Sequence, residues 1–369
     1  MVKNFNSQRL RLARSRRQKT SQGLANAVGI SPVTLSRLEN STNSPEPETI
    51  AALAKELCYP VEFFYGEDLD EVDKNDASFR SLKAMTAKER NGALAAASLA
   101  FVVADRIDSA FGLPSTDVPN LSYESDAGSA AATLRAHWGL GDRPIGNMID
   151  LLEAKGVRVY SLIERTVKVD AFSCWRDRVP YVFLNTLKSA ERSRFDAAHE
   201  LGHLCLHQHG GSGHRSAEPE ANIFASHFLM PPTDIKAKIS RISSLSQIQS
   251  AKKRWGVSLA ALTYHLSKLG ILTEWQARGY FIQMTKDGSR TTEPDPMPFE
   301  TSYIWQSVFR ELWKDRITKS QIAKELFIPE DEFESLVFGL AAQAINPETT
   351  ITQERTKGMR LAFKNTDIS

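Results

Sequence analysis

HELGH, residues 199–203, puts three ionisable side chains close together inside FDAAHELGHLCLH, a run rich in alanine and leucine. On an α-helix, residues four apart lie on one face, so His199 and His203 point the same way, with Glu200 beside the first. Two core histidines satisfied by hydrogen bonds would still leave the Glu200 carboxylate stranded in an apolar helix, and burying an unpaired charge is costly. A metal ion accounts for all three groups. His199 and His203 each offer an imidazole nitrogen, and Glu200 can reach a metal-bound water as general base without being a ligand.

A catalytic zinc site needs a third protein ligand and an open position. The candidates lie in EPEANIFASHF, which reads as the next helix. Glu220 shares a face with Ile223, Phe224 and His227, an apolar side expected to pack on the HELGH helix, and is the expected ligand. Glu218 shares a face with Ala221, Asn222 and Ala225 and is the alternative, otherwise a rim carboxylate at the helix N-terminus. His207 extends the ligand face, where it could polarise a substrate carbonyl, but is expected at the surface. Asn222 is a candidate partner of a ligand histidine. Cys205 points away from the metal and reads as a small core residue. His209 and His214 fall in a loop. VPYVFLN, 179–185, reads as a strand that is either an exposed edge able to receive an extended peptide or an ordinary sheet strand.

Residues 5–65 form several short helices. Thr20 or Ser21 can cap one, Leu24, Ala25 and Val28 give it an apolar stripe, and Gly29 supplies a left-handed stop. Ser31 caps the next, with Pro32 at its first position. Two short helices about a glycine-containing turn make a helix-turn-helix. Residues 1–41 carry eight Lys/Arg against Glu39, so 8 − 1 gives about +7 in a chain whose net charge is +2. That asymmetry suggests a polyanionic partner. The second helix of such a pair reaches base edges in the major groove. Pro32 and Val33 can then meet a thymine methyl and Arg37 a guanine, while Ser21, Thr34 and Asn40 contact phosphate. A helical bundle that binds only protein is the competing reading.

The chain's 369 residues allow two or three domains. Cys58, Cys174 and Cys205 imply no disulfide framework, so a reducing cytoplasm is expected. The longest apolar run, 93–104, is too short to span a membrane and reads as a buried helix or a dimer contact. GVRVYSLI (156–163) and KVDAFSC have strand character, residues 81–112 are helical, and GEDLDEVDKND is a linker. The expected class is mainly α with a small mixed sheet (α+β). Its expected domains are 1–66, helix-turn-helix; 67–128, linker and helical connector; 129–275, metal-binding domain; and 276–369, mixed and helical, of unknown role. Within the last, SQIAKELFIPEDEFESLV faintly echoes a helix-turn-helix but is expected to be a helical packing segment.

NFNSQRLRLARSRRQKTSQGLANAVGISPVTLSRLENSTNSPEPETIAALAKEL resembles the XRE-type helix-turn-helix family through LA at 24–25, GIS at 29–31, the RLEN stretch and the proline-containing tail. It departs at Gly23, where a better helix former is expected, and at Ser21, where that family often has glutamine. RFDAAHELGHLCLH and EPEANIFASHFLMP, with VDAFSCW and KKRWGVSLAALTYHLSKLG, are similar to the ImmA/IrrE family of metallopeptidases over roughly 130–275. The resemblance implies a zinc endopeptidase of the gluzincin type, with His199, His203 and Glu220 as ligands and Glu200 as base, active or latent. Relatives cleave a repressor and so induce stress-response or mobile-element genes. The expected partners are a double-stranded DNA operator, bound as a homodimer, and a protein substrate, with no membrane. The alternative is a non-proteolytic regulator whose peptidase-like domain senses a ligand or partner.

Overall fold

The structure, a computed structural model, describes residues 4–72, 86–162, 171–207, 217–341 and 362–363. Four helices come first: α1 (Ser7–Arg16), α2 (Ser21–Val28), α3 (Pro32–Glu39) and α4 (Pro47–Leu57). Leu10, Leu24, Leu35, Leu38, Leu53 and Phe63 close a shared core. Thr20, rather than Ser21, caps α2 by accepting from Gly23 N at 3.0 Å, and Gly29 ends it at φ 73°. Ser31 caps α3 through Thr34 N, with Pro32 at its start.

A 24-residue helix, α5 (Ala87–Ala110), runs between this module and the rest. Thr86 and Glu89 form its capping box. Residues 81–85 of the expected helical stretch 81–112 lie outside the described residues, and its end is shorter because Phe111–Gly112 (β1) pairs antiparallel with Ala362–Phe363 (β5). Nearly all of 93–104 is buried within the chain, against α1 and against Tyr181 of the sheet. It is core, so no exposed apolar strip remains there for the dimer contact considered from sequence.

Next come α6 (Ala127–His137) and α7 (Met148–Ala154), then a three-stranded sheet: β2 (Arg158–Ser161), β3 (Ala171–Arg176) and β4 (Val179–Leu184). The order is β2-β4-β3, with β2 parallel and β3 antiparallel to β4. β4 is therefore central, the ordinary sheet strand of the two readings of VPYVFLN and not an exposed edge. A near-continuous apolar run suits a strand covered on both faces. One face stacks Tyr160, Phe172, Tyr181 and Phe183, capped by Phe101 and Trp305. By the two-residue period of a strand, Ala171, Ser173, Val182 and Leu184 face the other way.

Against that second face lies α8 (Ala190–Leu206), crossed by α9 (Ala217–Leu229). Helices α10 (Pro232–Lys238), α11 (Leu245–Lys252), α12 (Leu259–Lys268) and α13 (Glu274–Lys286) follow. The last three, α14 (Tyr303–Lys314), α15 (Lys319–Glu325) and α16 (Glu330–Ala341), return to the sheet, where α16 packs on β2 and α5. The 320–337 stretch is thus a packing element. Its second helix opens with Glu330, Asp331 and Glu332, charges that repel a phosphate backbone. The architecture is mainly α with a small mixed sheet.

The basic N-terminus is largely spent inside the protein. Arg14 pairs with Glu39 at 2.5 Å, Arg16 with Glu332 at 2.6 Å, Arg17 with Asp331 at 2.6 Å, and Lys19 with Glu56. Arg9 and Arg11 donate to the carbonyls of Glu67 and Glu39. The +7 count therefore overstates the charge offered to a polyanion. The start of the acidic "linker" is docked too: the Gln8 amide brackets Leu69, donating to its carbonyl at 2.8 Å and accepting from its N–H at 2.7 Å. Residues 73–80 of that linker lie outside the described residues.

Glu153 of α7 ties the C-terminal helices to this core, accepting from Ser302 Oγ at 2.5 Å and Ile304 N at 3.1 Å. Burial pushes its carboxyl up to about 8. The folded state therefore holds a proton that the unfolded chain releases near 4.5. That contribution to stability is complete below the unfolded value and is lost as pH rises through the folded one. Wild type should lose denaturation free energy relative to Glu153→Gln between about pH 5 and about pH 8. Parallel pH profiles in urea titrations would contradict this.

Candidate metal centre

The site rests on how closely α9 approaches α8. α9 lays Ala217, Ala221, Phe224, Ala225 and Phe228, all fully buried, into the interior. Gly202, inside HELGH, gives the room, since a Cβ built there would stand 3.1 Å from the Phe224 ring. Ile223 is 46% exposed. The inward side of α9 thus centres on Ala221, Ala225 and Phe224, the side that carries Glu218, while Ile223, on the face from which Glu220 was expected to reach in, turns to solvent.

This corrects the sequence reading. The carboxylate brought to the histidines belongs to Glu218, with Oε2 3.4 Å from His199 Nε2 and Oε1 3.5 Å from His203 Nε2. Glu220 lies instead on His207, its Oε2 2.9 Å from Nε2. The two Nε2 atoms of His199 and His203 are 3.1 Å apart. Donors at about 2.0–2.1 Å from one ion in a tetrahedron stand about 3.3–3.4 Å from one another. The 3.1 Å between the two nitrogens is close to such an edge, and each nitrogen has one of the two Glu218 oxygens at 3.4–3.5 Å. Two imidazoles and a carboxylate also make a donor set suited to zinc. His199, His203 and Glu218 form a group able to hold a metal ion.

Glu200 sits beside this group, 4% exposed. Ser173 Oγ donates to Glu200 Oε2 at 2.7 Å. Ser173 is the polar residue on the helix-facing side of β3, and it was missed from sequence. The signal was a lone serine at the inward register of VDAFSCW. Burial opposes charge on His199, but the Glu218 hydrogen bond and the nearby Glu200, Glu218 and Asp196 charges outweigh it, and its pKa is raised. His203 is driven the other way, well below its ordinary value, by burial and by His199 and His207. His207 is only 7% exposed, not at the surface as expected. Cys205 is fully buried, as expected of a core residue. His209 and His214 lie outside the described residues.

On the helix-turn-helix, α3 exposes Val33 (60%), Thr34, Arg37 and Asn40, with Pro32 and Ser21 half-buried. Thr34 and Asn40 hydrogen-bond locally, to Ser31 Oγ and Ser36 Oγ.

A peptidase-family model described as the IrrE N-terminal-like domain matches residues 152–267, and one described as a helix-turn-helix domain matches residues 7–61. No curated protein matches the chain. The chain therefore carries a helix-turn-helix domain followed by a peptidase-family domain of the IrrE type. Both α8 and α9 fall inside the second match.

Because Phe224 fills the space over Gly202, Gly202→Val should overpack this crossing and lower unfolding free energy by about 1–3 kcal/mol. A variant as stable as wild type in chemical denaturation would show that the crossing is loose.

Proposed function

We propose that the protein is a DNA-binding transcriptional regulator that hydrolyses a peptide bond in a regulatory protein, most simply a repressor, at a zinc ion held by His199, His203 and Glu218. The observation that carries this reading is the convergence of those three donors beside Glu200. A zinc ion bound there supplies Lewis acidity, acidifying water and polarising an amide carbonyl. Glu200, anchored by Ser173, takes a proton from the attacking water and passes it to the departing amine. The burial of Glu200, 4% exposed, keeps bulk water from competing for that proton.

The DNA-binding part falls to α3. It enters the major groove, with Pro32 and Val33 at its start meeting a thymine methyl and Arg37 of its last turn reaching guanine. Ser21, Thr34, Asn40 and the amides at the starts of α2 and α3 hold phosphates. Two copies reading half-sites would supply the selectivity that one small module lacks. The setting is the cytoplasm, and the cleavage answers a stress or mobile-element signal.

Glu200→Gln should keep zinc and operator binding while slowing cleavage of a candidate repressor by at least about 100-fold, the share a positioned base contributes. The comparison uses purified full-length proteins, with cleavage followed on gels. Equal cleavage by both would remove Glu200 from the mechanism. Stoichiometric zinc with no cleavage of any candidate by wild type would favour the non-proteolytic regulator.

A further inference from the structure

Glu220 and His207 are left over once Glu218 takes the ligand position, yet they are joined to the site. Glu220 Oε2 is 2.9 Å from His207 Nε2, and His207 Nδ1 is 3.1 Å from His203 Nδ1. His203 Nε2 faces the donor group. Four atoms of two rings therefore form one line from a half-exposed carboxylate, 43% open, to a ligand that is 4% open.

We infer that Glu220 and His207 are positioning residues that set the tautomer of His203 and hold its Nε2 lone pair toward the metal. This rests on the zinc reading above. A carboxylate only accepts, so the bond to Glu220 places the proton of a neutral His207 ring on Nε2. His207 Nδ1 is then a lone pair and must receive a hydrogen from His203 Nδ1. That leaves His203 Nε2 without a proton, the form a metal ligand needs. The opposite polarity would put the His203 proton on Nε2, aimed at His199 Nε2 3.1 Å away, and would close the site to a cation. A ligand histidine whose other nitrogen donates to a carboxylate or carbonyl is the usual arrangement. Here a second histidine, four residues on along the same helix face, is interposed.

The test measures zinc affinity by chelator competition on the full chain, together with ¹⁵N spectra of the imidazoles in the zinc-loaded protein. His207→Ala should weaken zinc binding by about 10–100-fold, the usual effect of losing such a partner. It should also expose the His203 Nδ1–H to rapid solvent exchange. His207→Asn, whose Oδ1 falls near the lost Nδ1 and accepts the same hydrogen, should restore most of both. Glu220→Ala should move both readouts in the same direction by less. Circular dichroism of each variant separates these effects from misfolding. If wild type binds one zinc and His207→Ala binds it equally tightly, with His203 unchanged, the inference is overturned. If wild type binds no stoichiometric zinc, the metal reading fails first and this one falls with it.

Discussion

The crossing of α9 over α8 is the contact on which the site depends. Gly202 removes the one side chain that would hold the helices apart, and Phe224 takes its place. The alanines at 217, 221 and 225 then turn the same side of α9 inward, all of them fully buried. Glu218, one turn before Ala221 and two before Ala225, is carried to the histidines by that choice of face. Interior packing is dense and shifts little. A different inward face would bring a different carboxylate, or none.

The helix-turn-helix does not hang from the chain as a separate bead. α1 packs on α5, and Arg16 and Arg17 reach Glu332 and Asp331 at the start of α16. Arg16 and Glu332 are nearly fully buried, 8% and 4% exposed. A buried pair is weak evidence of net stability, but breaking one side strands the other charge. These contacts fix the orientation of α3 relative to the peptidase-family domain. α16 also packs on β2, at the far edge of the sheet that carries Ser173. The C-terminal helices, opaque in sequence, therefore bridge the two matched regions.

Much of this was legible beforehand. The caps at Ser31 and Gly29, the mixed sheet, and the convergence of His199 and His203 follow from local rules of spacing and capping. What failed was everything set by long-range packing. Hydrophobicity favoured the Ile223 side of α9, but Ile223 is solvent-facing and small residues decide a close helix crossing. The charge count could not see Glu332, more than three hundred positions away, neutralising Arg16. The serine that holds Glu200 was visible only as a register position on a strand. Whether β4 was an edge stayed open because sequence does not show which strands flank it.

The most direct measurement is a crystal of the zinc-loaded full chain with diffraction collected at the zinc absorption edge. The account predicts one anomalous peak about 2.0–2.1 Å from His199 Nε2, His203 Nε2 and a Glu218 oxygen, with Glu220 remaining on His207. A peak ligated by Glu220, or none between the two histidines, would contradict it.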